Sequence, residues 1–328
     1  MLSRWSRLPV AVLALAAAAA TPAEPFATRN QSPLARLYGL PAAAPAVLLA
    51  PDRREVVARL DIANNFTRRT VGGETIWLDG ETYELTLALR GGAAWRGRRA
   101  EWGVELPLVA HSGGFLDDAI DDWHETLGFR DGGRSNVASD VLRYSYERDG
   151  VELLRVDRAG SGLGDLRLTA GLALDADPAH PVALRAALKL PTGDSDRLFG
   201  SGGADVALWL VAARGLGDHW RADGALGGAL LMRGDVLPAL QRRAGAFGHL
   251  GLSYRIVDDL RFRIQLDGHT ALYADSALPQ LDKSALQIVL GWQWRPSRRV
   301  AFDLALAEDL VDFASPDVSV HLQVHAGF

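Results

Sequence analysis

The chain has 328 residues, no cysteine and a formal net charge of -5. Disulfides, thiolate metal sites and a lipidated cysteine anchor are therefore excluded, and an exported protein of this size must be held by an extensive hydrogen-bonded sheet or a large core. All basic residues except Lys189 and Lys283 are arginine, the balance is acidic, and aromatic and basic residues do not interleave, so no nucleic-acid surface is expected.

Met1 to Arg7 is a short basic stretch, Leu8 to Ala20 is apolar, and small residues follow. That order predicts a secretory signal peptide over residues 1–23, because the apolar run falls short of the roughly 20 residues of a membrane helix. Residues 24–53 contain Pro33, Pro41, Pro45 and Pro51 without a sustained period, which is incompatible with a spanning strand. Two outcomes stay open for them: a loose periplasmic segment, or a lumen plug that buries Leu34, Leu37, Tyr38 and Leu40.

Residues 54–328 carry a period of two. Val56, Ala58, Leu60 and Ile62 alternate with Val57, Arg59, Asp61 and Ala63, and Tyr83, Leu85, Leu87 and Leu89 alternate with Glu84, Thr86, Ala88 and Arg90. Comparable strands are expected at 102–108, 166–174, 182–190, 206–212, 220–230, 246–256, 262–272, 286–294, 300–306 and 318–328. Side chains on a strand alternate between faces, so the first two segments hold their charges on one wall only, behind an apolar one. The predicted fold is all-β: a transmembrane antiparallel up-and-down β-barrel of about 12 strands with one extracellular loop helix. A soluble sandwich is the competing reading, since alternation is its signature too.

Connections alternate between short (175–181, 214–219, 257–260, 295–299) and longer (191–203, 233–245, 274–284). Barrels of this class have short periplasmic turns and longer extracellular loops, and an even strand count puts both termini on the short-turn side. Trp102, Trp220, Tyr254, Phe262, Trp292, Trp294, Phe302 and Phe328 share the apolar face near that side, as an interfacial aromatic girdle requires. The hairpin at 142–156, with Asp149-Gly150 at its turn, leaves 14 strands as an alternative. Its second arm has only Leu154 and Val156 between charged residues, too little to cover an apolar band of about 25 Å, so it is expected above the membrane.

The inward wall supplies the site candidates: Arg59, Asp61, Glu84, Arg90, Glu105, Arg167, Arg185, Lys189, Arg261, Arg263, Asp267, His269, Asp303, His321, Gln323 and His325. They either pair with one another and close the interior or set the selectivity of a wet passage. The loop from His111 to Asp140 places Leu116, Ile120, Trp123 and Leu127 at helical spacing, as a lid over the mouth would. Asp117, Asp118, Asp121 and Asp122 on its other side are weak candidates for a hard divalent cation, but they match no calcium-loop spacing and no metal is expected. Ser112 with His111 or His124 would be the minimum for acyl transfer, yet neighbours on a strand point to opposite faces, so an enzyme is not expected.

Arg29 to Leu34 (Arg-Asn-Gln-Ser-Pro-Leu), Val104 to Pro107 (Val-Glu-Leu-Pro), His111 to Asp117 (His-Ser-Gly-Gly-Phe-Leu-Asp), Asp122 to His124 (Asp-Trp-His) and Ser161 to Leu166 (Ser-Gly-Leu-Gly-Asp-Leu) resemble the Gram-negative family catalogued as domain of unknown function 3187. Lys189 to Gly193 (Lys-Leu-Pro-Thr-Gly) is shared more loosely with transporter-like outer-membrane barrels, including those linked to uptake of hydrophobic or aromatic compounds. The resemblance implies an outer-membrane barrel of a Gram-negative bacterium and supplies no ligand or catalytic residue.

The functional expectation is a narrow passive channel or transporter for a small solute of limited polarity. The alternatives are a structural or surface-recognition barrel with a closed, ion-paired interior, and an outer-membrane lipid-modifying hydrolase. Expected partners are outer-membrane lipids and lipopolysaccharide around the belt, the barrel-assembly machinery during biogenesis, and a small-molecule solute. No cofactor and no nucleic acid are expected.

Overall fold

The computed structural model describes residues 24–114, 141–177, 179–311 and 314–328. Fifteen strands follow in order: β1 (Arg54–Val71), β2 (Glu74–Trp95), β3 (Arg98–Ser112), β4 (Arg143–Arg148), β5 (Val151–Val156), β6 (Gly160–Leu163), β7 (Leu166–Asp175), β8 (Val182–Leu190), β9 (Asp205–Leu216), β10 (Trp220–Leu231), β11 (Ala244–Val257), β12 (Leu260–His269), β13 (Ala285–Trp294), β14 (Val300–Asp309) and β15 (Val318–Gly327). A single short helix, α1 (Pro279–Asp282), precedes β13 among the described residues.

Twelve strands form the wall, every neighbour antiparallel: β1, β2, β3 and then β7 through β15. The last strand pairs with the first over ten residues, from Glu55 opposite Gly327 to Asn64 opposite Val318. Closure leaves no unpaired edge in the twelve-stranded ring, which lipid would penalise because it offers backbone groups no hydrogen bonds. The transmembrane barrel predicted from the period of two is therefore the fold, and the soluble sandwich is not. No described helix is long and apolar enough to cross a membrane; the strands do the crossing.

Alternation explains the layering. On β1, Val57, Arg59, Asp61 and Ala63 are buried in the interior, whereas Val56 on the opposite face is 44% exposed. Leu85, Leu87 and Leu89 on β2, Leu208 and Leu210 on β9, and Leu304 and Leu306 on β14 continue this outward apolar belt. The wall has a turn end, where short connections lie with the first and last residues of the barrel, and a loop end, where the longer connections lie with the two-residue β1–β2 turn.

The structure departs from the sequence expectation at the loop end. β1 and β2 run 18 and 22 residues, far past the Val56–Ala63 and Tyr83–Arg90 segments that alternation marks. Beyond Asn64 both faces of the pair carry polar residues, so no period of two announces the extension. β4 pairs with this overhang, Glu74 opposite Arg148 through Asp79 opposite Arg143, and β5 pairs with β4. The 142–156 hairpin thus lengthens the wall outside the twelve-stranded ring. Its turn residues Asp149 and Gly150 have φ of 52° and 78°, as a two-residue hairpin turn demands. The expected 262–272 strand ends at His269, and Leu272 turns instead into an apolar cluster. The loop helix expected around Leu116 to Leu127 lies outside the described residues.

That cluster roofs the loop end. Ile76 and Leu78 of β2, Tyr144 and Tyr146 of β4, Leu198, Leu237, Leu240, Leu272, Tyr273, Leu278 and Leu281 pack with Leu34, Leu37 and Tyr38 from the amino-terminal segment. Full burial of one such aliphatic side chain contributes roughly 1.5–3 kcal/mol, so the overhang, the loops and the segment are joined by apolar packing.

Candidate functional site in the barrel interior

Residues 24–53 form an inverted U inside the wall. At Phe26 the backbone bonds in both directions to the Gln265 side chain (3.0 Å each), and Thr28 donates to Asp267 (2.5 Å). Gln265, Asp267 and His269 are successive inward residues of β12, so the first limb climbs that strand. Near the loop end Asn30 donates to the Ala314 carbonyl (2.8 Å), and the Tyr273 hydroxyl donates to the Leu34 carbonyl (3.1 Å). The second limb descends along other strands. Gly39 N–H donates to Asp205 (2.7 Å), Arg185 donates to the Pro45 carbonyl (3.0 and 2.7 Å), and Leu49 N–H donates to Glu101 (3.0 Å). Ala43 N–H to the Thr28 carbonyl (3.2 Å) ties the limbs together. Gly39 permits the close approach: a Cβ there would lie 2.5 Å from the Asp205 Cβ.

One part of the wall is charged. Glu84, fully buried, accepts from Arg29 (2.6 and 2.7 Å) and Arg36 (2.8 and 3.3 Å), and Arg167 stands 3.7 Å away. Burial pulls the Arg36 guanidinium below its ordinary range, and Glu84 opposes that shift. Arg59 lies 3.3 Å from Asp61 and 3.9 Å from Glu105, and Asp61 meets His321 at 2.7 Å. Glu101 accepts from Arg185 (3.0 Å) and Arg90 (3.3 Å). Lys189 contacts Asp165 (2.7 Å) and Asp205 (3.1 Å), and Arg263 makes a two-point bond to Asp223 (2.6 and 2.7 Å). Asp303 accepts from Gln293 (3.2 Å) and Gln323 (3.1 Å) and lies 3.3 Å from His325. Charges taken out of water persist only when paired and hydrogen-bonded in this way.

On β8 to β10 apolar residues stand between the charged ones. β9 turns Ala207, Trp209, Val211 and Ala213 inward, joined by Ala183 and Ala187 of β8 and Ala229 of β10, all buried. Trp209 meets Phe247 edge to face at 5.9 Å. Two cavities lie between this wall and the segment. The smaller is bounded by Leu40, Trp209, Phe247, His249 and Asp267, and the larger by Pro45, Arg59, Arg167, Ala187 and Trp209.

Of the predicted inward residues, Arg59, Asp61, Glu84, Arg167, Arg185, Lys189, Arg261, Arg263, Asp267, Asp303, His321, Gln323 and His325 are buried. Arg90, Glu105 and His269 are half-buried on the same face. Trp220, Tyr254, Phe262 and Trp292 stand opposite one another across β10 to β13 in an outward row near the turn end, with Trp294 stacked on Phe302 at 5.3 Å. Trp102 and Phe328 are also outward at that end. Asp117, Asp118, Asp121, Asp122 and His124 lie outside the described residues. His111 and Ser112 fall on opposite faces of β3, and His111 is buried against Thr82 (3.0 Å) and stacked on Phe199, so the two do not form a nucleophile and base. Sequence reasoning missed Trp209 and Phe247; the available signal was that 206–212 is apolar on both faces.

A family model described as a protein of unknown function, DUF3187, matches residues 4–328. The chain belongs to this family. No curated protein matches this DUF3187 chain. Among solved structures it is similar to the COG4313 outer membrane channel from Pseudomonas putida F1, at 14% identity and a TM-score of 0.58, over 86% of this chain and 98% of that one. Weaker likenesses are to the KdgM porin (7% identity, TM-score 0.41, covering 84% and 99%) and to the Ralstonia pickettii toluene transporter TbuX (10% identity, TM-score 0.40, covering 85% and 88%). The first places this DUF3187 chain among barrels of the outer-membrane type.

Proposed function

We propose that this DUF3187 protein is a narrow passive channel for a small solute of limited polarity in the outer membrane of a Gram-negative bacterium, reached by signal-peptide-dependent export. The turn end then faces the periplasm, and the aromatic row lies at the lipid interface. The observation that carries the reading is the mixed apolar and charged interior. A solute between the apolar Trp209 wall and the charged Glu84 wall can leave water without losing every polar contact, and the cavities beside the segment provide room for it. The fold shared with the outer membrane channel of Pseudomonas putida supports the same reading.

The segment serves as the constriction, since its two limbs stand where a wide pore would run. Proteoliposomes carrying the purified full chain are expected to take up small aromatic and aliphatic solutes faster than empty vesicles and to exclude oligosaccharides. Uptake no faster than in empty vesicles, both for the wild type and for Trp209→Ala, would overturn the proposal. A closed, structural barrel is the second reading, favoured by the apolar roof at the loop end, and that same result would support it.

A further inference from the structure

The larger cavity has an uneven charge balance. Four guanidiniums, Arg59, Arg90, Arg167 and Arg185, line it with three carboxylates, Glu24, Glu101 and Glu105. Glu84 has about four acceptor positions, and Arg29 and Arg36 take them with four short contacts. Arg167 is left 3.7 Å from that carboxylate, beyond hydrogen-bonding distance. Its Nε and Nη1 have no hydrogen-bond partner among the described residues although the side chain is only 6% exposed. Buried polar groups are otherwise nearly always satisfied, and an arginine more so because its charge does not leave by deprotonation. Arg167 lines the cavity, and so does Arg59.

The cavity is also bounded by Ala187, the Trp209 ring, Val57 and the Ala43 to Pro45 stretch. A ligand that satisfies both linings carries one carboxylate, to take the planar two-point bond that a guanidinium offers, and a flat or short apolar body to lie on Trp209. We infer that Arg167, with Arg59 beside it, forms the anion-binding end of a subsite for small apolar monocarboxylates within the barrel. The inference names a solute class for the channel proposed above; binding itself does not depend on transport.

The test uses benzoate and its neutral counterpart benzamide on the purified full chain in detergent, followed by calorimetry and tryptophan fluorescence. Benzoate is expected to bind saturably and about ten-fold or more tighter than benzamide, the margin of a charge-assisted two-point bond. Arg167→Gln is expected to erase that preference, and Arg167→Lys to retain part of it, because charge survives where the fork does not. Equal binding of the two probes to the wild type, no benzoate binding, or an unchanged preference in a folded Arg167→Gln protein would each overturn the subsite. If Arg167→Gln does not fold, the wild-type comparison of the probes decides alone. Liposome uptake read in parallel separates the two proposals: benzoate preference without any flux keeps the subsite and removes the channel, and flux without that preference does the reverse.

Discussion

The charged wall around Glu84 and the apolar wall around Trp209 share one lumen and fill it in opposite ways. Around Glu84 each contact is directional, and Arg29, Arg36 and Arg167 converge on a single carboxylate. Around Trp209 contact is a matter of area, so side chains can shift by small steps without leaving any group unsatisfied. The first wall holds the amino-terminal segment at fixed points. The second leaves space beside it, and both cavities include Trp209 in their lining. The two tasks meet on β8 and β9, where Arg185 and Asp205 hold the segment beside Ala187 and Trp209.

Removing the charge at the centre of the first wall should have the largest effect. Glu84→Gln leaves three guanidiniums around a neutral amide, and breaking a buried ion pair from one side costs about 3 to 5 kcal/mol. Denaturant unfolding in detergent should show that loss; a midpoint equal to wild type would mean the arginines are held by something else. Trp209→Ala comes next. Large-to-small changes of this kind cost about 3 to 5 kcal/mol, and the lower end is expected because one side of the ring already borders a cavity. Planar-bilayer conductance should rise in the same variant, and an unchanged conductance would detach Trp209 from the route. Gly39→Ala probes the crossing between the walls. Its new Cβ would lie 2.5 Å from Asp205 Cβ, and overpacking costs about 1 to 3 kcal/mol, to be read as increased protease cleavage of the segment. The smallest effect belongs to Arg155→Ala on β5, whose pairs with Glu152 (3.1 Å) and Asp157 (2.7 Å) are solvent-exposed. Its melting temperature should match wild type, showing that burial and not charge gives the Glu84 cluster its weight.

Most of the barrel was legible because lipid and interior impose opposite demands on alternate residues. Residues such as Val56 and Arg59, or Leu87 and Glu84, report their faces by chemistry alone. Legibility failed wherever one of those demands was lifted. Past Asn64, β1 leaves the lipid level and its outward residues need not be apolar, so the long overhang was invisible. On β9 the inward demand was lifted instead, since Ala207, Trp209 and Val211 are buried inward without being charged, and Trp209 borders both cavities. The route of that segment was not legible either. Its contacts join Phe26 to Gln265 and Arg29 to Glu84, pairs far apart in sequence with no local pattern to announce them.

The inverted U of residues 24–53 has a topological consequence. Both of its ends lie at the turn end, where Arg53 already joins the wall through its carbonyl and Gly92 N–H (2.9 Å). A chain that goes in and comes out through the same opening is threaded through nothing. It can be inserted into a ring of twelve strands that has already closed, or withdrawn from one, as a folded loop, with every strand pair and the β1–β15 seam left intact.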